Sequence, residues 1–178
     1  MTFLSAHNYS QENNKMEKIN SIIQELKEKF APDKRTAIFN VETAESENKI
    51  IIKGETNIPE AKSEFIKMMK EFELKFDDQI ELFPSEKLGE KKYGVINLSV
   101  ANFRTTTDHS AELVTQSLLG TPVKVYKKGE DGYYLVQTPD GYISWLDDDG
   151  FTIMTEDQWK EWKSSPKIIY TKEYGFSY

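Results

Sequence analysis

The chain has no cysteine, which excludes disulfides, a thiol nucleophile and thiolate metal sites. That absence does not choose between a reducing and an oxidising compartment. Histidine is nearly as scarce, with only His7 and His109. Positive charge is in deficit: 23 Lys and Arg stand against 30 Asp and Glu, for a net charge of -7. A nucleic-acid partner needs a basic face, so none is expected. No apolar run approaches the roughly 20 residues that cross a bilayer, so no transmembrane segment is expected. The opening MTFLSAHNYSQENN has no basic region and a two-residue apolar run, and does not read as a signal peptide or a membrane anchor.

Within 178 residues, 38% hydrophobic content suffices for one large domain or two small ones. From Lys15 to Phe30, the residues Met16, Ile19, Ile22, Ile23, Leu26 and Phe30 recur at helical spacing among charges and predict an amphipathic helix that Ala31-Pro32-Asp33 ends. Residues 1–14, with His7, read as a polar, flexible tail. Thr36–Thr43 and Lys49–Glu55 are rich in β-branched residues, and Glu45–Asn48 between them reads as the turn of a hairpin. A second helix starts near Pro59 and aligns Phe65, Ile66, Met69 and Phe72, and Asp78–Phe83 reads as a short strand. The order helix, strand, strand, helix, strand predicts one sheet covered by two helices, an α+β unit over residues 15–84. Residues 85–92 form a polar linker.

After Tyr93 the texture changes to short strands with frequent turn residues, the pattern of a small all-β barrel or sandwich. Strands are expected near Gly94–Val100, Leu113–Ser117, Pro122–Lys127, Tyr133–Thr138 and Tyr142–Leu146. Thr155 can cap a helix with Gln158 as its capping-box partner, placing Trp159 and Trp162 on one face before Ser164-Ser165-Pro166. The final KIIYTKEYGFSY, residues 166–178 with Pro166, reads as a strand that folds back on the barrel or opens a further domain.

Three motifs carry a resemblance: Val100-Ala101-Asn102-Phe103-Arg104, Leu119-Gly120-Thr121-Pro122-Val123-Lys124-Val125, and Tyr133-Tyr134-Leu135-Val136 leading to Gly141-Tyr142-Ile143-Ser144-Trp145. With them the chain resembles the bacterial SH3-like domains of cell-envelope proteins. It departs from that pattern in having Tyr133 where Trp is common and Ser144 where Gly usually precedes the Trp. The resemblance is closest to the first SH3-like domain of NlpC-type wall-peptide cysteine endopeptidases. It implies an SH3-like barrel over 93–152, a helix over 153–165 and a junction to a further domain at 166–178. Residues 15–84 resemble, more faintly, a BON-type α+β domain, a class linked to envelope proteins and lipid or ligand contact.

Asp108-His109-Ser110 invites a catalytic reading, but neighbours on one loop do not place nucleophile, base and orienter in line, and a solvated loop is the plainer account. Asp147-Asp148-Asp149-Gly150 lacks the alternate spacing and distal Glu of a calcium loop, so no metal site is assigned. In the hairpin around Pro139-Asp140-Gly141, alternation separates Tyr134 and Val136 from Tyr133 and Leu135, and Tyr142 and Ser144 from Ile143 and Trp145. Both faces are apolar, yet a barrel has one interior, so the second face meets either another domain or a ligand. Tyr133, Leu135, Tyr142, Trp145 and Arg104 are therefore candidates for ligand or domain contact, Arg104 more as a structural hydrogen-bonding residue. Trp159 and Trp162 are candidates for domain packing.

Taken with the resemblance, these features imply no enzyme in this chain, no cofactor, and a non-catalytic envelope module. Its expected partner is the peptidoglycan stem peptide or a downstream catalytic domain of a γ-D-glutamyl-diamino acid endopeptidase. The expected location is the cell envelope, periplasmic after export, with the export signal outside this sequence. The alternative is an envelope protein-interaction scaffold with no wall ligand.

Overall fold

The computed structural model describes residues 3–46, 49–71 and 75–169, with residues 3–14 described by backbone alone. The fold is α+β: a three-stranded sheet under two helices, then a seven-stranded β unit with a short helix.

Helix α1 spans Phe3–Phe30, so helical backbone reaches twelve residues ahead of Lys15 into the stretch expected as a tail. Strands β1 (Phe39–Ser46) and β2 (Lys49–Thr56) pair antiparallel, and α2 (Pro59–Glu71) carries the chain over to β3 (Phe76–Leu82), which pairs parallel with β2. Such a return requires a crossover segment, and α2 is that segment. Alternate strand residues Phe39, Val41, Ile50 and Ile52 face the helices and meet Ile19, Ile22, Leu26, Phe65 and Met69 in one buried cluster. Each such side chain contributes about 1.5–3 kcal/mol on burial. Gly54 has φ +145°, and a Cβ there would lie 2.0 Å from the Asn40 carbonyl oxygen, so β1 and β2 approach at a point that excludes any side chain. Phe72 and part of the expected 45–48 turn lie outside the described residues.

Residues 85–92 are not a bare tether. Ser85 caps a 3-10 turn over Glu86–Leu88, its main-chain N–H donates to the Tyr126 carbonyl at 2.7 Å, and Leu88 packs on the β core.

The second sheet contains β4 (Tyr93–Ile96), β5 (Val100–Arg104), β6 (Leu113–Leu118), β7 (Pro122–Lys128), β8 (Tyr133–Gln137), β9 (Ile143–Asp147) and β10 (Phe151–Met154), in the order β10-β4-β7-β8-β9-β5-β6. Its interior holds Ile96, Ala101, Phe103, Val123, Val125, Val136, Leu146 and Phe151.

Two expectations are corrected. The stretch Gly94–Val100 is not one strand: the chain turns at Asn97-Leu98-Ser99, sending β4 to β7 and β10 but β5 to β6 and β9. No Gly or Pro marks that turn; it is held by Gly120 N–H donating to the Ile96 carbonyl and Asn97 N–H to the Gly150 carbonyl. Nor is the expected strand at Tyr142–Leu146 the last of the unit, since β10 follows the Asp147–Gly150 run and closes onto β4. Helix α3 (Glu156–Ser164) has the full Thr155/Gln158 capping box. After it, Pro166–Ile169 are not in a strand, and the remainder of the expected C-terminal strand lies outside the described residues.

Candidate functional site: the outer face of the β8–β9 ladder

Pairing of β8 with β9 sets Tyr134 opposite Leu146 and Val136 opposite Ser144, and this set faces the barrel interior. Tyr133, Leu135 and Gln137 on β8, with Asp147, Trp145 and Ile143 opposite them, form the outer face. Arg104 of β5 extends that face as the register partner of Trp145.

Half of this face meets the α+β unit. Leu135 and Tyr126 are buried with Ile38 and Phe83, and Ile143 and Trp145 pack on the same cluster. The Tyr126 and Phe83 rings stack with centroids 5.8 Å apart. A polar chain runs through the contact: Asn57 Nδ2 donates to the Tyr126 hydroxyl at 3.1 Å, that hydroxyl donates to Gln137 Oε1 at 2.7 Å, and Gln137 Nε2 donates to the Gly141 carbonyl at 2.9 Å and the Thr36 carbonyl at 3.4 Å. Burial raises the Tyr126 pKa, with the Asn57 hydrogen bond opposing, so the phenol stays a donor. At the rim, Lys127 Nζ pairs with Glu55 at 2.5 Å and lies over the Phe83 and Trp145 rings. Ile143 N–H donates to the Arg35 carbonyl at 2.7 Å. Tyr142, just ahead of β9, is half-buried with the Arg35 guanidinium 5.7 Å from its ring centroid. Asp33 grips that guanidinium at 2.7 Å, and the pairing lowers the Asp33 pKa to about 2.

The other half ends at Tyr133. Its side chain is 3% exposed, and its hydroxyl is buried with no hydrogen-bond partner. His109 meets the Tyr133 ring edge-on at 5.7 Å, and its Nε2 lies 3.4 Å from Asp147 Oδ2. Arg104 Nη1 donates to the Ala111 carbonyl at 2.9 Å and so ties down the loop that carries His109. Asp108 accepts from the Ser110 N–H at 2.7 Å, which lowers its pKa; it stabilises its own turn. His109, for its part, is turned to Asp147 and Tyr133. Burial raises the Tyr133 pKa, Asp147 adds to the rise and Arg104 opposes it. The Trp145 indole covers Gly129, where a Cβ would come within 2.4 Å of it.

Carboxylate oxygens of Asp147, Asp148 and Asp149 lie within 4.8 Å of one another, but Asp147 already caps the Asp149 N–H and faces His109. Trp159 stacks on Tyr93 at 5.0 Å, and Trp162 lines a groove with Val95, Ile96, Leu119 and Met154; both hold α3 to the barrel.

Sequence reasoning missed Tyr126, Phe83, Ile38, Asn57 and Gln137, which build the junction. One local signal marks Tyr126: it follows Val125 directly, so an alternating strand carries adjacent apolar residues. A register shift between Val125 and Lys127 lets Val125 enter the barrel while Tyr126 turns out.

No curated protein matches this chain. Residues 103–151 match the family described as the bacterial dipeptidyl-peptidase SH3 domain, so the barrel formed by these strands carries a bacterial SH3-like domain.

Proposed function

We propose that the chain is a non-catalytic binding and positioning module of the bacterial cell envelope, periplasmic after export. It recognises the peptidoglycan stem peptide, or holds an attached NlpC-type endopeptidase domain near it. The match to a peptidase-associated SH3 domain supports an accessory role. The observation that carries a ligand role is the Tyr133 hydroxyl, buried without a partner beside Asp147, Arg104 and His109. Buried polar groups are ordinarily satisfied, and an unsatisfied one costs about 1–3 kcal/mol, so a ligand amide or carboxylate that reaches this phenol as the exposed His109 side chain moves aside recovers that cost. The α+β unit, read as BON-like, serves as the support that covers the rest of the face.

The test is co-sedimentation with purified insoluble peptidoglycan. The wild-type chain is retained, and Tyr133→Phe and His109→Ala are retained less. A wild-type chain that stays in the supernatant rejects the stem-peptide reading.

A further inference from the structure

Charged residues make up 30% of the chain, yet Tyr93–Phe103 and Leu113–Val123 contain none. The fold brings these runs side by side as β5 and β6. Strand β6 is the last in its sheet, and no described strand pairs with its outer edge. Of eight large apolar residues exposed among the described residues, five lie in these runs: Leu98, Val100, Leu113, Leu118 and Leu119, with Leu118 at 66%. The opposite end of the sheet is protected, because α3 packs on β10 and β4 with its two indoles. Sheet edges that stay unpaired usually carry a charge, a Pro or a covering element; among the described residues β6 has none of these.

We infer that β6 is the dimer edge of this protein and pairs antiparallel with β6 of a second copy. The choice of partner follows from the strand itself. Two chains of net charge -7 repel, so they associate best through a surface without charge, and this edge is one. The edge also fits itself. Gln116 and Leu118 lie on the outer face, opposite Asn102 and Val100, while Thr115 and Ser117 lie on the inner face opposite Phe103 and Ala101. A two-fold axis at Gln116 keeps both faces in phase. It sets Gln116 against Gln116 of the partner subunit, Thr115 against Ser117 of the partner subunit, and Leu118 against Val114 of the partner subunit. A Gln side chain already bonded to Asn102 at 2.8 Å is presented at the centre, with apolar side chains at each end.

Light scattering after size exclusion, over a concentration series, tests this with the full chain. The wild type is expected at twice the 20.7 kDa chain mass. Gln116→Lys alone and Gln116→Glu alone each place like charges across the axis and lose the dimer peak. An equimolar mixture of the two regains it, because Lys then faces Glu. Leu118→Lys, also exposed, loses the dimer independently. Circular dichroism of each variant matches the wild type. A wild-type chain that is monomeric throughout overturns the inference, as does a dimer indifferent to both Gln116 variants.

Discussion

Tyr126 of the barrel stacks on Phe83 at the end of the α+β unit, centroids 5.8 Å apart and planes 13° from parallel. This contact joins two separate cores, since the cluster around it contains Ile38 from one unit and Leu135 from the other. The units share side chains that neither buries alone.

Tyr126→Phe keeps the stack but strands Asn57 Nδ2 and Gln137 Oε1. The expected loss is about 1–3 kcal/mol, the cost of leaving buried polar groups unmade. Urea melts followed by Trp fluorescence and by circular dichroism should stay coincident. Separate transitions in the wild type would show that the junction does not couple the units.

Among the described residues three hydroxyls are buried without partners: Thr43 Oγ1 on β1, Tyr133 Oη on the outer face and Ser144 Oγ in the barrel. Removing an unsatisfied hydroxyl leaves stability unchanged or raises it by about 1 kcal/mol. Ser144→Ala and Tyr133→Phe should both do so in a denaturant melt. Only Tyr133→Phe should also lower retention on peptidoglycan, which separates a ligand role from a packing role. A clear loss of stability in either variant would mean that the hydroxyl has a partner.

Gly129→Ala puts a Cβ within 2.4 Å of Trp145 Cζ3. The indole must shift off the loop, at about 1–3 kcal/mol, as for other overpacking changes. A changed Trp emission maximum together with a lower melting temperature is the expected result; an unchanged spectrum would place Trp145 elsewhere.

Tyr126 and Tyr133 both have pKa values raised by burial above the ordinary 10.0. The folded chain therefore keeps two phenol protons that the unfolded chain releases. Stability from this source is fully present below pH 10.0 and falls as pH rises from there towards the folded values. Urea midpoints measured across that range should drop, and a Tyr126→Phe/Tyr133→Phe chain should show a shallower drop. Equal slopes would exclude the two phenols as the cause.

The helix spacing over Lys15–Phe30, the capping box at Thr155 and the alternation in β8 and β9 were legible because each depends on residues close in sequence. So were the barrel class and the SH3-like motifs, which lie on strands whose pattern is local. The break at Asn97–Ser99 was not, since distant carbonyls and N–H groups hold that turn and no Gly or Pro marks it. Nor was β10, a four-residue strand that directly follows the Asp147–Gly150 run.

Alternation by itself determined that the β8–β9 hairpin has two apolar faces, because pleating sends successive side chains to opposite sides whatever surrounds them. What each face meets was decided only in three dimensions. Val136 and Leu146 enter the barrel, Leu135 and Trp145 meet Ile38 and Phe83, and Tyr133 ends under His109 with its hydroxyl unpaired. Those partners lie far along the chain, and the positions that bring them together depend on the register of two sheets, which no short stretch of sequence contains.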